Sequence, residues 1–153
     1  MTGYPPLLRQ HPLKKTYIEQ YHSLPSILKE KGYTTTFFTN ADEQYDNLGV
    51  FLNINGLDKT YSQKDYPSNE IVGTWGAPDH FVFNFSIPII QQLANQTKPF
   101  FVTILTNSNH PPLYLPTNID FIPKAQTIEN QMIEYADWSI SLFMEKAKKR
   151  TLV

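Results

Sequence analysis

Apolar and polar positions follow two different periods along this chain, and each change of period marks an element. Residues 1–22 show neither: Gly3, Pro5, Pro6 and Pro12 interrupt any repeat, which reads as an irregular lead-in. Positions 24–31 predict a short helix, with Ser23 as N-cap, Pro25 in the tolerant first turn and Gly32 just past the end. Positions 33–39 are threonine, tyrosine and phenylalanine throughout and predict a buried strand. After a polar loop at 40–44, Leu48, Phe51, Leu52 and Ile54 give a helical stripe over 45–55, closed by Gly56. Positions 58–62 predict a further short strand, and 63–78 a loop.

A helix is expected next over 79–95, opened by Asp79 as its N-cap. Pro88 lies inside it, and an interior proline costs about 3 kcal/mol or more, so a kink or two short helices are expected. The run Phe100-Phe101-Val102-Thr103-Ile104-Leu105, preceded by Pro99, predicts a second buried strand. A proline-punctuated excursion fills 107–123. The last segment, 125–149, sets Ile128, Met132, Tyr135, Ala136, Ile140, Phe143 and Met144 at helical spacing. Strands separated by helices imply a mostly parallel sheet flanked by helices. The predicted class is α/β.

Composition narrows the chemistry. The 153 residues suffice for one domain with a core, and no Ser/Gly-rich linker, charge block or repeat marks a second. Net charge is −1 and basic residues are scattered, so no nucleic-acid partner is expected. The cluster at 146–150 falls at a helix end, where cations complement the helix dipole. With no cysteine, disulfides, thiolate metal sites and cysteine nucleophiles are excluded. No apolar run approaches the roughly 20 residues that cross a bilayer. The start, Met1-Thr2-Gly3-Tyr4-Pro5-Pro6, lacks the basic and apolar regions of a signal peptide. No membrane contact by this chain is expected.

Open α/β sheets gather their ligands at the carboxyl ends of the strands, so the loops there hold the candidates. The second strand runs into Thr106-Asn107-Ser108-Asn109-His110-Pro111-Pro112. Proline fixes its own φ and restricts the residue before it, which stiffens the loop around His110 and its neighbour Asn109. An imidazole held there either donates to an anionic oxygen or caps a backbone carbonyl. The loop at 39–46 brings Asn40 and Asp42 to the same edge, as ligand contacts or as a solvated loop. Asp42, Glu43 and Asp46 match no metal pattern, because hard cations need several converging oxygens. Trp75 reads as a packed aromatic or an apolar wall for a substrate, and Asp79 as a helix cap. Tyr135 reads as a core tyrosine and Asp137 as a surface or capping carboxylate, while His11, His22 and His80 have no partner pattern.

Four blocks, in order, resemble the lipoteichoic-acid-synthase-like branch of the sulfatase and alkaline-phosphatase superfamily. Ser23-Leu24-Pro25 through Phe37-Phe38 is similar to that family's SLP…L-K-x-x-G-Y-x-T-x-F-F helix and strand. Trp75-Gly76-Ala77-Pro78-Asp79 resembles its W-G-x-x-D turn, Thr106 to Pro112 its Thr-x-x-x-His-x-P turn, and Tyr135-Ala136-Asp137 the helix that follows. The resemblance implies a substrate-side role for His110, Asn109, Asn40, Asp42 and Trp75, with the histidine pointing at a phosphate or sulfate. It also implies a nucleophile and a divalent metal (Mn, Mg, Ca or Zn) in the intact parent. The relatives carry the nucleophile upstream and an Asp-His pair downstream, and neither segment is in this sequence; the cysteine form of a formylglycine nucleophile is absent too. Residues 1–153 are therefore expected to be the central part of a single catalytic domain with an incomplete sheet. Alone, the chain is expected to bear no catalytic residue, hold no metal and be inactive.

By the same resemblance the parent is expected to be membrane-anchored with an extracytoplasmic catalytic domain. Glycerol-phosphate-transferring relatives supply an acidic residue, a tryptophan and an arginine from the loop after the first strand. Here the latter two positions fall close to Asp46 and Leu48. That departure favours a sulfatase-type hydrolase of sulfate or phosphate esters over a phosphoglycerol transferase. A reading of another class is a non-catalytic module that holds an anion or a partner on the same edge. An unpaired, apolar edge beside the Phe100 strand also predicts self-association.

Overall fold

The threonine and phenylalanine run forms the central strand, β1 (Thr34–Thr39), in a computed structural model that describes residues 2–3, 19–150 and 152. Most of the lead-in read at 1–22, with His11, lies outside the described residues. Parallel strands β2 (Lys59–Tyr61) and β3 (Phe100–Leu105) flank β1 in the order β2-β1-β3, with Thr36 opposite both Lys59 and Val102. Successive strand residues point to opposite faces, so the neighbours Phe37 and Phe38 serve two separate cores. Phe37 packs with Leu52 and Leu57 on one face. Phe38 meets Tyr66, Ala77 and Val82 on the other, with the Tyr61 ring stacked on it at 4.9 Å. Both faces are covered, as a parallel sheet requires. The expected α/β class is what the chain adopts.

Helix α1 (Leu24–Glu30) begins as read: Ser26 N–H donates to Ser23 Oγ at 3.1 Å and Ser23 N–H returns a bond to Ser26 Oγ at 2.9 Å. Its last turn is tied to the sheet through Asp58. Lys29 Nζ lies 2.6 Å from Asp58 Oδ1, and Thr35 N–H donates to Asp58 Oδ2 at 3.0 Å. Burial alone would raise the Asp58 carboxyl, but the Lys29 ammonium and the Thr35 donors outweigh it and hold it below its usual value.

Several expectations are corrected here. The helix read over 45–55 is a 3-10 turn at Tyr45–Asn47 followed by α2 (Leu48–Ile54). Asp46 and Asn47 adopt φ of 52° and 58°, and Asp and Asn are the non-glycine residues that tolerate this region best. Helix α3 (Asp79–Ala94) runs unbroken through Pro88. Pro88 lies on the exposed side, where the carbonyl it leaves without a donor can take one from water. The strand read at 58–62 is shorter, and the 63–78 loop contains 3-10 turns at Gln63–Asp65 and Ser68–Glu70.

Helix α4 (Ile128–Lys149) packs along α3. Its inward residues are Met132, Tyr135, Ser139 and Ala147, whereas Ile128, Ile140 and Met144 of the expected core stripe are exposed. The buried side is thus rotated from the one that apolar residues alone indicate. Tyr135, the expected core tyrosine, is fully buried and lies against His80, with its hydroxyl 2.7 Å from Nδ1 and 3.3 Å from the His80 N–H. Burial pushes the Tyr135 hydroxyl well above its ordinary pKa, so it keeps its proton, and its oxygen accepts the His80 backbone N–H. Among the described residues no helix is long and apolar enough to cross a membrane.

This pair predicts a pH response. Burial holds His80 below its ordinary 6.5, against the raising effect of Glu70 and Asp79 and with the help of Lys146. As pH falls, the unfolded chain binds the proton first, so stability present above about 6.5 declines below it. Urea unfolding between roughly pH 7 and pH 5 should show this decline, and His80→Gln should flatten it. Tyr135→Phe should cost about 1–2 kcal/mol by the same measurement at neutral pH, because it strands the His80 N–H.

Candidate functional site

Strands β1 and β3 end side by side, at Thr39 and Leu105, and their loops leave the same edge of the sheet. What holds those loops is a buried carboxylate. Asp79, in the first turn of α3, is 1% exposed. Its Oδ1 accepts from Asn40 Nδ2 at 2.9 Å, from Ser108 Oγ at 2.5 Å and from Ser108 N–H at 3.2 Å. Ser108 Oγ accepts the Asp79 N–H at 3.3 Å in return. The expectation that Asp79 caps the helix is corrected: Pro78 occupies the N-cap position, and the Asp79 side chain joins the ends of β1 and β3 instead.

Asn40 completes the joint. Its side-chain amide nitrogen donates to the Ala77 carbonyl at 2.6 Å, and its main-chain carbonyl accepts the Ala77 N–H at 3.1 Å. The segment at 75–79 is so pressed onto Asn40 that a Cβ at Gly76 would sit 2.1 Å from the Asn40 carbonyl oxygen. With φ at +86°, position 76 accepts only glycine. Burial raises the Asp79 pKa, and the hydrogen bonds from Ser108, Asn40 and the Asn107 backbone recover only part of that shift.

Two side chains hang from this joint. Trp75 precedes Gly76, and His110 follows Ser108 by two residues. Trp75 Nε1 donates to the Pro111 carbonyl at 3.1 Å, and the two rings meet at 4.5 Å between centroids with their planes 66° apart. The Pro111 carbonyl also lies 2.7 Å from His110 Nδ1. A carbonyl only accepts, so Nδ1 carries the proton and Nε2 is the nitrogen left for a ligand. Tyr45 also meets Trp75, with ring centroids 5.8 Å apart and planes nearly perpendicular.

Tyr45, Trp75 and His110 line a cavity of about 240 Å³ together with Thr39, Asp42, Asp46, Leu48, Leu105 and Asn107. Of the residues singled out from the sequence, His110, Asp42 and Trp75 meet at this cavity. Asn109 is exposed and does not line it, and Asn107 does. Asn40 is buried beneath the edge with its amide nitrogen committed to Ala77 and Asp79. Tyr45, Asn107 and Ser108 were not singled out. Their only signal was membership of polar loops following buried strands. Among the described residues no three His, Asp or Glu side chains converge where they could hold a metal ion.

A parallel sheet covered on both faces, with a histidine-bearing loop at its carboxyl edge, is an α/β scaffold whose ligands gather at that edge. The chain belongs to the Sulfatase family, whose model matches residues 1–153. It is 31% identical over 147 residues to lipoteichoic acid synthase 1 of Bacillus subtilis, covering 86% of this chain and 21% of that protein. It is 29% identical over 134 residues to lipoteichoic acid synthase 2 of the same organism, covering 83% and 20%. A solved protein of the alkaline phosphatase superfamily from Vibrio parahaemolyticus superposes with a TM-score of 0.80 at 30% identity, over 97% of this chain and 37% of that one. The chain thus spans about a fifth of the length of these curated relatives.

The joint makes a stability prediction. Asp79→Ala removes the shared acceptor of Asn40 and Ser108 and should cost about 2–3 kcal/mol in urea unfolding. Asp79→Asn keeps an oxygen at Oδ1 and relieves the burial of a charge, so it should cost less than half as much. Equal losses in the two variants would show that the donors do not depend on that oxygen.

Proposed function

We propose that this chain is the substrate side of a divalent-metal-dependent enzyme that cleaves or transfers a phosphate or sulfate ester. The observation that carries the reading is the meeting of His110, Trp75 and Asp42 around one cavity at the carboxyl edge of the sheet. The names of the curated relatives, lipoteichoic acid synthases, favour a phosphate ester within that class. The metal and the nucleophile enter with the family, and a membrane-anchored parent whose catalytic domain is extracytoplasmic belongs to the proposal. Self-association of the isolated chain through the outer edge of β3 is part of the same proposal.

In this reading His110 acts on the transferred group. With Nδ1–H held by Pro111, a protonated ring donates from Nε2 to an ester oxygen on which charge develops. Trp75 orients that ring and forms an apolar wall beside it. Asn40 is a positioning residue, since it acts through Ala77 and Asp79.

The test uses the full-length protein carrying this chain, assayed on bis(p-nitrophenyl) phosphate and on p-nitrophenyl sulfate with and without a divalent metal. Metal-dependent turnover is expected, with the phosphate substrate preferred. His110→Ala should lower kcat by about 10²-fold or more with a smaller change in KM, in line with losing a donor to developing charge. Anion binding without turnover would favour the non-catalytic reading, and an unchanged His110→Ala enzyme would remove the histidine from the site.

A further inference from the structure

Thr39 lines the cavity beside His110 and keeps a buried hydroxyl that the fold does not use. We propose that Thr39 is a specificity-determining residue whose hydroxyl bonds an oxygen of the ester held in that cavity. This deepens the ester-handling reading and rests on it.

Thr35 provides the contrast. Alternation along β1 puts Thr35 and Thr39 on the Phe37 face, and they are 0% and 1% exposed. Thr35 Oγ1 donates to the Gly56 carbonyl at 2.9 Å and accepts the Asp58 N–H at 3.0 Å. Among the described residues Thr39 Oγ1 has no hydrogen-bond partner. A buried hydroxyl in that condition destabilises the fold, and valine would fill the same space without the penalty. A ligand that completes the hydroxyl gives threonine its purpose at this position.

The residue is also held in place. Tyr66 donates its hydroxyl to the Thr39 carbonyl at 2.9 Å, and Thr39 pairs in register with Leu105 of β3. Burial, with Asp65 adding to it, pushes the Tyr66 hydroxyl well above its ordinary pKa, so the donor keeps its proton. On a fixed backbone a β-branched side chain has few rotamers, so the hydroxyl is set before a ligand arrives. Leu48, which packs on the Phe37 face, and Leu105 line the same cavity as Thr39, Trp75 and His110. An ester bound at His110 therefore comes within the enclosure that Thr39 shares. A hydroxyl both donates and accepts, so it suits a phosphoryl or sulfuryl oxygen and equally a hydroxyl on the alcohol part of the ester.

Two measurements on Thr39→Val test this together. In urea unfolding of the 153-residue chain the midpoint should rise by about 0.5 M, because the unpartnered hydroxyl is gone. In the full-length protein carrying this chain, assayed with a divalent metal, KM should rise about tenfold while kcat stays within about twofold, because the bond forms in ground and transition states alike. Thr39→Ser keeps the hydroxyl and should keep KM near the wild-type value. The matched substrates are ethyl and hydroxyethyl p-nitrophenyl phosphate. A rise in KM with both assigns the bond to a phosphoryl oxygen, and a rise with the hydroxyethyl ester alone assigns it to the alcohol part; either sustains the proposal. A midpoint that fails to rise would give the hydroxyl a structural role and overturn it. A serine variant that behaves like valine would overturn it too. Unchanged KM for both esters in an active enzyme removes this inference alone, whereas a wild-type protein that turns over neither ester removes the ester reading and this inference with it.

Discussion

The buried carboxylate of Asp79 is the constraint from which the rest of the edge follows. A charged group taken out of water needs donors, and here they come from two parts of the chain: Asn40 just after β1, and the loop after β3 through Ser108 and the Asn107 backbone. The start of α3 places the acid where the helix dipole favours negative charge. Because each donor sits next to a loop that faces the cavity, satisfying one buried oxygen also sets the positions of Trp75 and His110. The glycine at 76 belongs to the same constraint, since the 75–79 segment reaches Asn40 only if no Cβ intervenes.

Pleating then divides the labour between adjacent residues. Thr39 and Asn40 are consecutive polar residues at the end of one strand, both 1% exposed. One turns toward α2 and lines the cavity; the other turns toward α3 and builds the joint. The same alternation sends Phe37 and Phe38 into separate cores, so the polar pair sits above a strand clamped by apolar contacts on both faces. Tyr45 reaches the cavity because Asp46 and Asn47 take up left-handed backbone, which ends the turn and starts α2 in a new direction. Residues held in such conformations gather at ligand sites, where surrounding structure maintains them.

Much of the fold was legible because it depends on local chemistry. The β-branched and aromatic runs at 34–39 and 100–105, the Ser23 cap and the Gly32 stop are readable one segment at a time. The break at Asp46–Asn47 was hidden because the helical spacing came from Leu48, Phe51 and Leu52, which all lie after it, so no position before it tested the period. Pro88 misled because its cost depends on which side of the helix meets solvent, and that is a tertiary property. Asp79 misled for a related reason: aspartate opening a helix is normally a cap, and its actual partners are 39 and 29 residues away. At the site, the histidine loop, the tryptophan and Asp42 were visible as polar punctuation after strands, and the resemblance placed them in a family that the whole chain matches. Which asparagine faces the cavity, Asn107 and not Asn109, is decided by the turn in which His110 N–H bonds the Asn107 carbonyl at 3.0 Å.

The central claim is that one carboxylate holds two loops in a single cooperative joint. Residue-resolved amide hydrogen exchange on the Asp79→Ala chain tests it most directly. Ala77 N–H is bonded to Asn40, and Ser108 N–H to Asp79 itself, on segments far apart in sequence. If the joint is one unit, both amides lose protection together, while amides in the β1–β3 ladder such as those around Phe37 and Thr103 keep theirs. Loss at Ser108 alone, with Ala77 still protected, would show two independent contacts and contradict the account.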